Sequence, residues 1–367
     1  MSPTFLPLET WGFPIHRFFV AAGPCSAESE DQVLEAASAL AGTGISFFRA
    51  GIWKPRTHPG HFEGVGAEGL RWLQRVKQEW GLAVGVEVAT PQHVEECLRN
   101  GVDLVWVGAR TTPNPFAVQA LADSLKDTGL PVLVKNPISP DLELWMGAME
   151  RFLGAGLVKV GAIHRGFSSS EKDEFRFSPQ WRWPIELKRR WPDLPLLCDP
   201  SHICGKRKLL YAVAQEALDL LFDGLMIEVH PNPDAALSDS SQQLTPSGFQ
   251  DLIERLTPKH EESSESVQRR LKELRNEVDG VDHQLLELLS RRMSVVRRMA
   301  ELKHQGNVST FQPHRWEEIV ESRVQEGVEL GLSSRCVFDL LQTIHEEAIE
   351  QQKKVFKPGE DAKVEEE

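Results

Sequence analysis

The chain has 367 residues, of which 41% are hydrophobic and 26% are charged, proportions that are ordinary for a globular protein. Its formal net charge of −13 argues against general nucleic-acid binding, although a local cluster of arginines and lysines can still attract anions into one cleft. No segment reaches the ~18 apolar residues of a membrane span, and the N-terminus lacks the pattern of a secretory signal. The five cysteines are scattered and odd in number, which argues against a disulfide framework. We therefore expect a cytoplasmic protein with reduced thiols.

Between about residues 17 and 257, short apolar runs alternate with amphipathic stretches of helical length. Eight runs have the composition of strands: RFFVAAG, ISFFRAG, AVGVEV, LVWVGA, PVLVK, LVKVGAI, PLLCD and GLMIEVH. Such alternation is typical of a parallel sheet covered by helices, and eight units in this length predict a (β/α)8 barrel. The alternative is an open doubly wound sheet, which the absence of a GxGxxG motif after the first strand disfavours.

After residue 257 the strand pattern ends. Apolar side chains recur at alternating steps of four and three from Val267 to Leu302, which predicts one helix of ~36 residues and ~54 Å. A helix of that length cannot bury its apolar seam against itself, so it needs the two amphipathic segments that follow or a second chain. We predict a barrel domain over 1–257, a linker over 258–266, an all-helical domain over 267–355 and a disordered tail over 356–367.

Polar residues follow nearly every predicted strand, at the end where (β/α)8 enzymes place their chemistry. One set consists of cations: Arg49, Lys54, Arg56, Arg110, Lys135 and Arg165. Like charges that converge on one barrel mouth repel each other unless anions neutralise them. Phosphate and carboxylate groups suit the forked guanidinium of arginine. Pairing of some of these cations with surface acids is the alternative.

A second set at the strand ends combines a thiol, an imidazole and two carboxylates: Cys25, His202, Glu228 and Asp239. Cys25 directly follows a Gly-Pro turn at the end of the first strand, rather than lying within an apolar run. Mixed soft and hard ligands favour a catalytic Mn, Fe, Co or Zn ion over a structural zinc site, which more often uses paired cysteines. The alternative is that the histidine and acids are structural.

These motifs occur in an order that resembles a known family. GPCSAE, RAGIWKPRT, VGART, VLVKNP, HRGFSS, DPSHICGKR, MIEVHPNP and ALSD are similar to the motif series of type I 3-deoxy-D-arabino-heptulosonate 7-phosphate (DAHP) synthase, across residues 20–245. That family condenses phosphoenolpyruvate with erythrose 4-phosphate in the first step of the shikimate pathway. The resemblance implies one divalent metal, with Mn²⁺ first and Fe²⁺, Co²⁺ or Zn²⁺ as alternatives.

The resemblance also assigns roles residue by residue. The metal ligands would be Cys25, His202, Glu228 and Asp239. Phosphoenolpyruvate would be held by Arg49, Lys54, Arg110, Lys135 and Arg165. Erythrose 4-phosphate would be held by Lys54, Pro55, Arg56 and Thr57. A related family, which makes 3-deoxy-D-manno-octulosonate 8-phosphate, is the alternative. It typically shows KANRS and DATH where this chain has KPRT and DPSH, and both differences favour the heptulosonate enzyme.

The helical region has a break in its apolar seam, because the position between Leu288 and Val295 is Arg292. A bare guanidinium in a helical core is costly unless it is paired. Lys303 lies eleven residues further on and shares the face of Arg292. The alternative is a slip of register, in which Met293 takes the core position and Arg292 reaches outward.

Residues 265–353 resemble chorismate mutase of the all-helical AroQ class, on the segment LKELRNEVDGVDHQLLELLSRRMSVVRRMAELK. The resemblance implies a pericyclic conversion of chorismate to prephenate in an interlaced homodimer, with higher oligomers left open. The mutase site would comprise Arg275, Arg292, Lys303, Gln312, Arg315 and Gln352. Three positions depart from the family: Gln312 stands where Asp is common, Trp316 where Glu often follows, and Ala348 where Ser is usual.

The sequence therefore predicts a bifunctional enzyme, in which a downstream product bound by the helical domain inhibits the barrel. One alternative keeps the synthase and makes the helical tail a module for dimerisation and sensing. Another makes the chain a metal-free phosphate-binding protein with a coiled-coil tail.

Overall fold

A computed structural model describes residues 3–54, 60, 62–169, 174–259 and 264–356. The chain divides into two compact units, Met1–Glu261 and Glu262–Glu367. The first contains a closed barrel of eight parallel strands that pair in chain order, which confirms the (β/α)8 prediction. Within the described ranges, no helix has both the length and the apolar character needed to cross a bilayer.

The strands are β1 Phe19–Gly23, β2 Phe47–Arg49, β3 Val84–Val88, β4 Leu104–Val107, β5 Val132–Lys135, β6 Val160–His164, β7 Leu196–Cys198 and β8 Gly224–Glu228. The helices of the barrel unit are α1 Glu30–Leu40, α2 Glu68–Trp80, α3 Pro91–Arg99, α4 Pro115–Leu125, α5 Leu142–Gly154, α6 Arg182–Arg190, α7 Pro200–Cys204, α8 Leu210–Asp219 and α9 Pro246–Arg255. The helices of the second unit are α10 Glu265–Gln305, α11 Pro313–Glu329 and α12 Ser334–Phe356.

The strands are short apolar runs because both of their faces are buried. Side chains such as Phe19, Phe47 and Trp106 fill the barrel interior, while the opposite faces pack under the helices. The barrel closes where β1 pairs with β8, with Phe19 beside Gly224. A Cβ atom at Gly224 would lie 2.2 Å from the Phe19 carbonyl oxygen, so this close approach requires glycine.

The N-terminal segment covers one end of the barrel. Leu8 and Trp11 are buried and join the interior cluster that includes Phe19. The Trp11 indole nitrogen donates a hydrogen bond to the Leu6 carbonyl at 2.9 Å, which satisfies the polar edge of a buried ring. With one end filled by apolar side chains, the polar strand ends gather at the opposite mouth.

Helices that follow the strands are started by capping side chains. The residues that accept a hydrogen bond from the first turn are Ser29, Thr90, Asn114, Asp141, Asp199 and Thr245. Such caps satisfy backbone N–H groups that have no partner within the helix. The cap of α7 is also a buried acid at the barrel mouth, so Asp199 belongs to both the fold and the site.

The second unit consists of three helices that bury only a small core. Met293 and Val296 of α10 pack with Ala348 of α12, and Ile344 lies against them. Met293 therefore occupies the core position within one chain, and Arg292 lies on the exposed side of α10. The structure thus agrees with the alternative in which Met293, rather than Arg292, takes the core position of the helix.

The long helix is 41 residues rather than ~36, because it starts before Val267 and continues past Leu302. Its predicted apolar seam remains exposed within one chain: Val278 is 57% exposed and Leu288 is 60% exposed. Phe356 ends α12 and so is helical, while the predicted disordered tail from residue 357 lies outside the described residues.

Candidate active sites

Three of the four predicted metal ligands converge at the barrel mouth. Cys25 follows β1, Glu228 ends β8, and Asp239 lies in the loop after β8. One ligand atom from each lies within 4.8 Å of the other two, and Cys25 Sγ is 3.3 Å from Asp239 Oδ2. Burial raises the pKa of the Cys25 thiol to about 12, and the charge of Glu228 adds to this rise. A divalent cation would reverse that effect, because a coordinating thiol is deprotonated.

The fourth predicted ligand, His202, lies beside this cluster on α7. Its Nδ1 is 2.8 Å from Asp199 Oδ2, and its Nε2 is 4.0 Å from Asp239 Oδ2. Burial lowers the pKa of His202, which favours the neutral imidazole that binds metals. Nδ1 also lies 3.8 Å from Glu228 Oε1, so the ring lies between Asp199 and two of the predicted ligands. A carboxylate beside a ring nitrogen is common for metal-binding histidines.

The donor set therefore fits a divalent transition metal. It combines one thiol, one imidazole and two carboxylates, a mixture that suits Mn, Fe, Co or Zn. The geometry does not choose among them, because each accepts nitrogen, oxygen and sulfur ligands.

Arg49 lies directly beneath this cluster and is almost completely buried. Its Nη1 donates to Glu228 Oε1 at 3.1 Å, and its Nη2 donates to the Cys25 carbonyl oxygen at 3.0 Å. The guanidinium also lies over the Trp106 ring at 5.1 Å. This predicted phosphoenolpyruvate residue thus orients a predicted metal ligand as well.

Asp199 is the main residue that sequence reasoning missed. Its Oδ2 accepts a hydrogen bond from Lys135 Nζ at 2.7 Å and lies beside His202. Burial alone would raise the pKa of Asp199, but His202 and Lys135 outweigh burial and hold the pKa well below its usual range. The buried carboxylate therefore links a predicted substrate cation to a predicted metal ligand. The feature of the sequence that could have identified Asp199 is its position between β7 and His202.

Arg165 is buried after β6 with its guanidinium stacked 3.5 Å from the centre of the Phe177 ring. Burial lowers its pKa to about 10, and the charges of Arg176 and Arg110 act in the same direction. Its Nη1 is buried and, among the described residues, has no hydrogen-bond partner. Arg110 lies on the surface just after β4. A buried cation with an unused donor is suited to an anionic ligand.

Lys54 lies in the loop after β2, and its side chain contacts Cys25, one of the candidate metal ligands. Its Nζ donates to the Cys25 carbonyl oxygen at 3.0 Å and lies 3.2 Å from Cys25 Sγ. The other predicted erythrose 4-phosphate residues, Pro55, Arg56 and Thr57, lie outside the described residues.

Two glutamines in the loop after β8, together with an arginine, support the cluster from behind. Gln243 Oε1 accepts from the Cys25 backbone N–H at 2.9 Å, and Gln242 Nε2 donates to Glu228 Oε2 at 2.7 Å. Arg176 Nη1 donates to Asp239 Oδ1 at 2.8 Å. Sequence reasoning missed all three supporting residues, because their contacts depend on loop conformations that have no periodic signal.

In the helical unit, two predicted cations lie close to one face of α12. Arg292 and Lys303 both lower the pKa of His345, which places their charges near that ring. Lys303 Nζ donates to the Thr310 carbonyl oxygen at 2.8 Å. Gln352, two turns after His345, is buried, and its Oε1 has no partner among the described residues.

Of the remaining predicted mutase residues, Arg275 is the one that helix geometry separates from Arg292 within one chain. Arg275 lies seventeen residues before Arg292 on the same helix, which separates them by about 26 Å along its axis. Gln312 is exposed at the start of α11, and Arg315 is exposed and pairs with Glu318 at 2.9 Å.

A closed eight-stranded barrel with candidate metal ligands and buried cations at its mouth is typical of a metal-dependent enzyme that acts on anionic substrates. Residues 15–265 match the model of the DAHP synthetase I family, and residues 274–353 match that of chorismate mutase type II. The chain belongs to the DAHP synthetase I family and carries a chorismate mutase domain after the barrel. It is thus a bifunctional enzyme of the shikimate pathway.

The curated relatives include both a heptonate enzyme and a member of the related octonate enzymes. Phospho-2-dehydro-3-deoxyheptonate aldolase of Thermotoga maritima is 31% identical over 239 residues, which cover 65% of this chain and 69% of that protein. The 2-dehydro-3-deoxyphosphooctonate aldolase of Methylococcus capsulatus is 29% identical over 275 residues, which cover 68% of this chain and 93% of that protein. The crystal structure of the Thermotoga DAHP synthase aligns with a TM-score of 0.61 at 29% identity, over 69% of this chain and 72% of that chain.

Replacing the bridging acid tests its role in the site. In Asp199→Asn the shape is kept, but the charge that holds Lys135 and His202 is lost, and we expect metal affinity and synthase activity to fall by about 10–100-fold. Metal titration and steady-state rates of phosphoenolpyruvate consumption measure both quantities. Asp193→Asn, a change at an exposed acid, is the matched control and should behave like the wild type. Wild-type metal affinity in Asp199→Asn would show that the bridge has no such role.

Proposed function

We propose that the barrel condenses phosphoenolpyruvate with erythrose 4-phosphate to DAHP, and that the helical domain rearranges chorismate to prephenate. The observation that carries the first half is the cluster of Cys25, Glu228 and Asp239 beside buried cations. Its thiol must be reduced, and all five cysteines are free. The proposal accordingly places the enzyme in the cytoplasm, within aromatic amino acid biosynthesis.

Phosphoenolpyruvate carries a phosphate and a carboxylate, which need several positive donors in one place. Arg165 has a buried nitrogen without a partner in the described structure, and Lys135 lies at the end of the neighbouring strand β5. Arg110 adds a third charge near Arg165. Two cations of the predicted set, Arg49 and Lys135, already contact internal acids. The substrate therefore has to neutralise only some of the predicted cations at the barrel mouth.

In the proposed reaction the methylene carbon of phosphoenolpyruvate attacks the aldehyde carbon of erythrose 4-phosphate. Water then adds to the neighbouring substrate carbon, and phosphate leaves as its bond to that carbon breaks. A divalent ion held by the four ligands would polarise the aldehyde oxygen. Lys54 lies beside Cys25, where its ammonium can contact both substrates. Holding the two reactants at one mouth also removes most of the entropic cost of their encounter.

The mutase reaction needs no nucleophile or cofactor, only orientation and electrostatic stabilisation. Arg292 and Lys303 supply positive charge for the carboxylates and the ether oxygen of chorismate. Gln352 supplies a buried amide for that oxygen. These roles rest on the position of the three residues around one face of α12.

We further propose that the mutase site is completed by a second copy of the chain. Arg275 lies about 26 Å from Arg292 along one helix and cannot share a pocket with it in the same chain. The exposed apolar seam of α10, which includes Val278 and Leu288, offers the surface for a homodimer.

Two substitutions should separate the activities. Cys25→Ala removes the soft metal ligand, so it should abolish metal-dependent synthase activity and leave prephenate formation unchanged. Arg292→Ala removes charge from the helical site, so it should lower mutase activity by at least about 100-fold and leave the synthase unchanged. Both rates are measured on the purified full-length chain, before and after chelation and on return of Mn²⁺.

The matched controls use the same residue types elsewhere on the surface. Cys336→Ala on α12 and Arg323→Ala on α11 should keep both activities, because both side chains are exposed. Synthase activity that survives Cys25→Ala would overturn the metal assignment. A wild-type chain without mutase activity would favour the alternative of a sensing and dimerisation tail, as the departures at Gln312, Trp316 and Ala348 suggest.

Regulation is a further part of the proposal, in which ligand binding to the helical domain inhibits the barrel. Prephenate or chorismate, at concentrations that saturate the wild-type helical domain, should therefore lower the synthase rate, and Arg292→Ala should require higher concentrations for the same effect. Synthase assays with each ligand titrated measure this. Feedback regulation is contradicted if neither ligand changes the rate of the wild-type enzyme.

A further inference from the structure

A histidine of α12 has an environment in the helical unit that the proposed function does not use. The His345 ring stacks on Trp316 of α11, with ring centres 4.2 Å apart and an angle of 24° between the planes. Phe311, in the loop before α11, lies 5.8 Å from the same ring. Two aromatic neighbours hold the imidazole in one orientation.

One nitrogen of this ring lacks a partner among the described residues. His345 Nε2 is buried, and it has no hydrogen-bond partner within the part of the chain that the structure describes. A buried ring nitrogen normally has a hydrogen-bond partner, since an unmade bond costs free energy. His345 and Gln352 lie on the same side of α12, seven residues apart, and each carries a buried atom without a described partner.

The charges around His345 favour an anion. Arg292 and Lys303 of α10 act on the ring, while Glu346 of its own helix is the acid that opposes them. From α11 and the preceding loop, the contacts are the aromatic rings of Trp316 and Phe311. Burial lowers the pKa of His345, and the two cations lower it further, which favours the neutral ring. A neutral imidazole still has one N–H to donate.

We propose that His345 is a ligand-binding residue of the candidate mutase site, where its Nε2–H donates a hydrogen bond to a carboxylate of a dicarboxylate ligand. Trp316 positions the ring for that bond. This inference rests on the proposed site between α10 and α12, and it names a residue that the resemblance to the mutase family does not assign. Because the carboxylate would be bound in both the ground state and the transition state, the contact should act mainly on binding.

Two substitutions isolate the donor. His345→Phe keeps an aromatic ring for the stack on Trp316 but removes the N–H, whereas His345→Gln places an amide N–H near the position of Nε2. The chorismate KM should rise about tenfold in His345→Phe, as expected for the loss of a hydrogen bond to a charged group, with kcat changed little. His345→Gln should return KM to within about threefold of the wild type. His283→Phe, at an exposed position of α10, is the matched control.

A pH series gives a readout that a structural role would not move. A bound dianion raises the pKa of His345, so prephenate affinity in calorimetry should increase as the pH falls from 8 to 6 in the wild type. The increase should be smaller in His345→Phe. An unchanged KM and an unchanged pH dependence in His345→Phe would overturn the inference. An equal rise of the chorismate KM in His345→Phe and His345→Gln would overturn it as well.

These outcomes are distinct from a failure of the mutase proposal. If Arg292→Ala loses activity while His345→Phe behaves like the wild type, only the inference on His345 falls. If the wild type binds prephenate without turning over chorismate, the mutase proposal falls, and the dissociation constants of the two variants still decide the role of His345. If the wild type neither binds prephenate nor turns over chorismate, both are wrong.

Discussion

The barrel mouth depends on buried charges that neutralise each other before any substrate arrives. Asp199 carries a negative charge that contacts Lys135 on one side and His202 on the other. Glu228 pairs with Arg49 and is also one of the candidate metal ligands. Charges in such an interior are costly unless paired, so these pairings allow the buried cations and the candidate metal ligands to lie within one cleft. A change at either acid is therefore expected to affect both proposed sites.

The barrel could be predicted from the sequence because parallel strands buried on both faces appear as short, nearly continuous apolar runs. The strand ends could be predicted for the same reason, since a parallel barrel brings every carboxyl end to one mouth. Cys25 and Glu228 approach each other because β1 and β8 pair in register, with Gly23 beside Glu228. The support by Gln242 and Arg176 could not be predicted, because it depends on loop conformations that have no periodic signal.

In the helical domain, periodicity predicted a long helix but not which of its faces the chain itself would cover. The alternating pattern selected the seam that includes Leu288, whereas the short core uses Met293 and Val296 on another face. The helix therefore has two apolar surfaces, and the predicted seam is only one of them. Arg275 and Arg292 lie about 26 Å apart on one helix, so their proposed place in one site depends on the proposed second copy of the chain.

The central claim is that one thiolate, one imidazole and two carboxylates hold a single metal at the barrel mouth. X-ray absorption at the zinc edge of Zn²⁺-loaded protein tests it directly, because a thiolate ligand gives a Zn–S distance of ~2.3 Å and the other ligands give distances of ~2.0–2.2 Å. The account predicts one sulfur per bound ion, contributed by Cys25 and lost in Cys25→Ala. A shell with nitrogen and oxygen alone, or with two or more sulfurs, would contradict it.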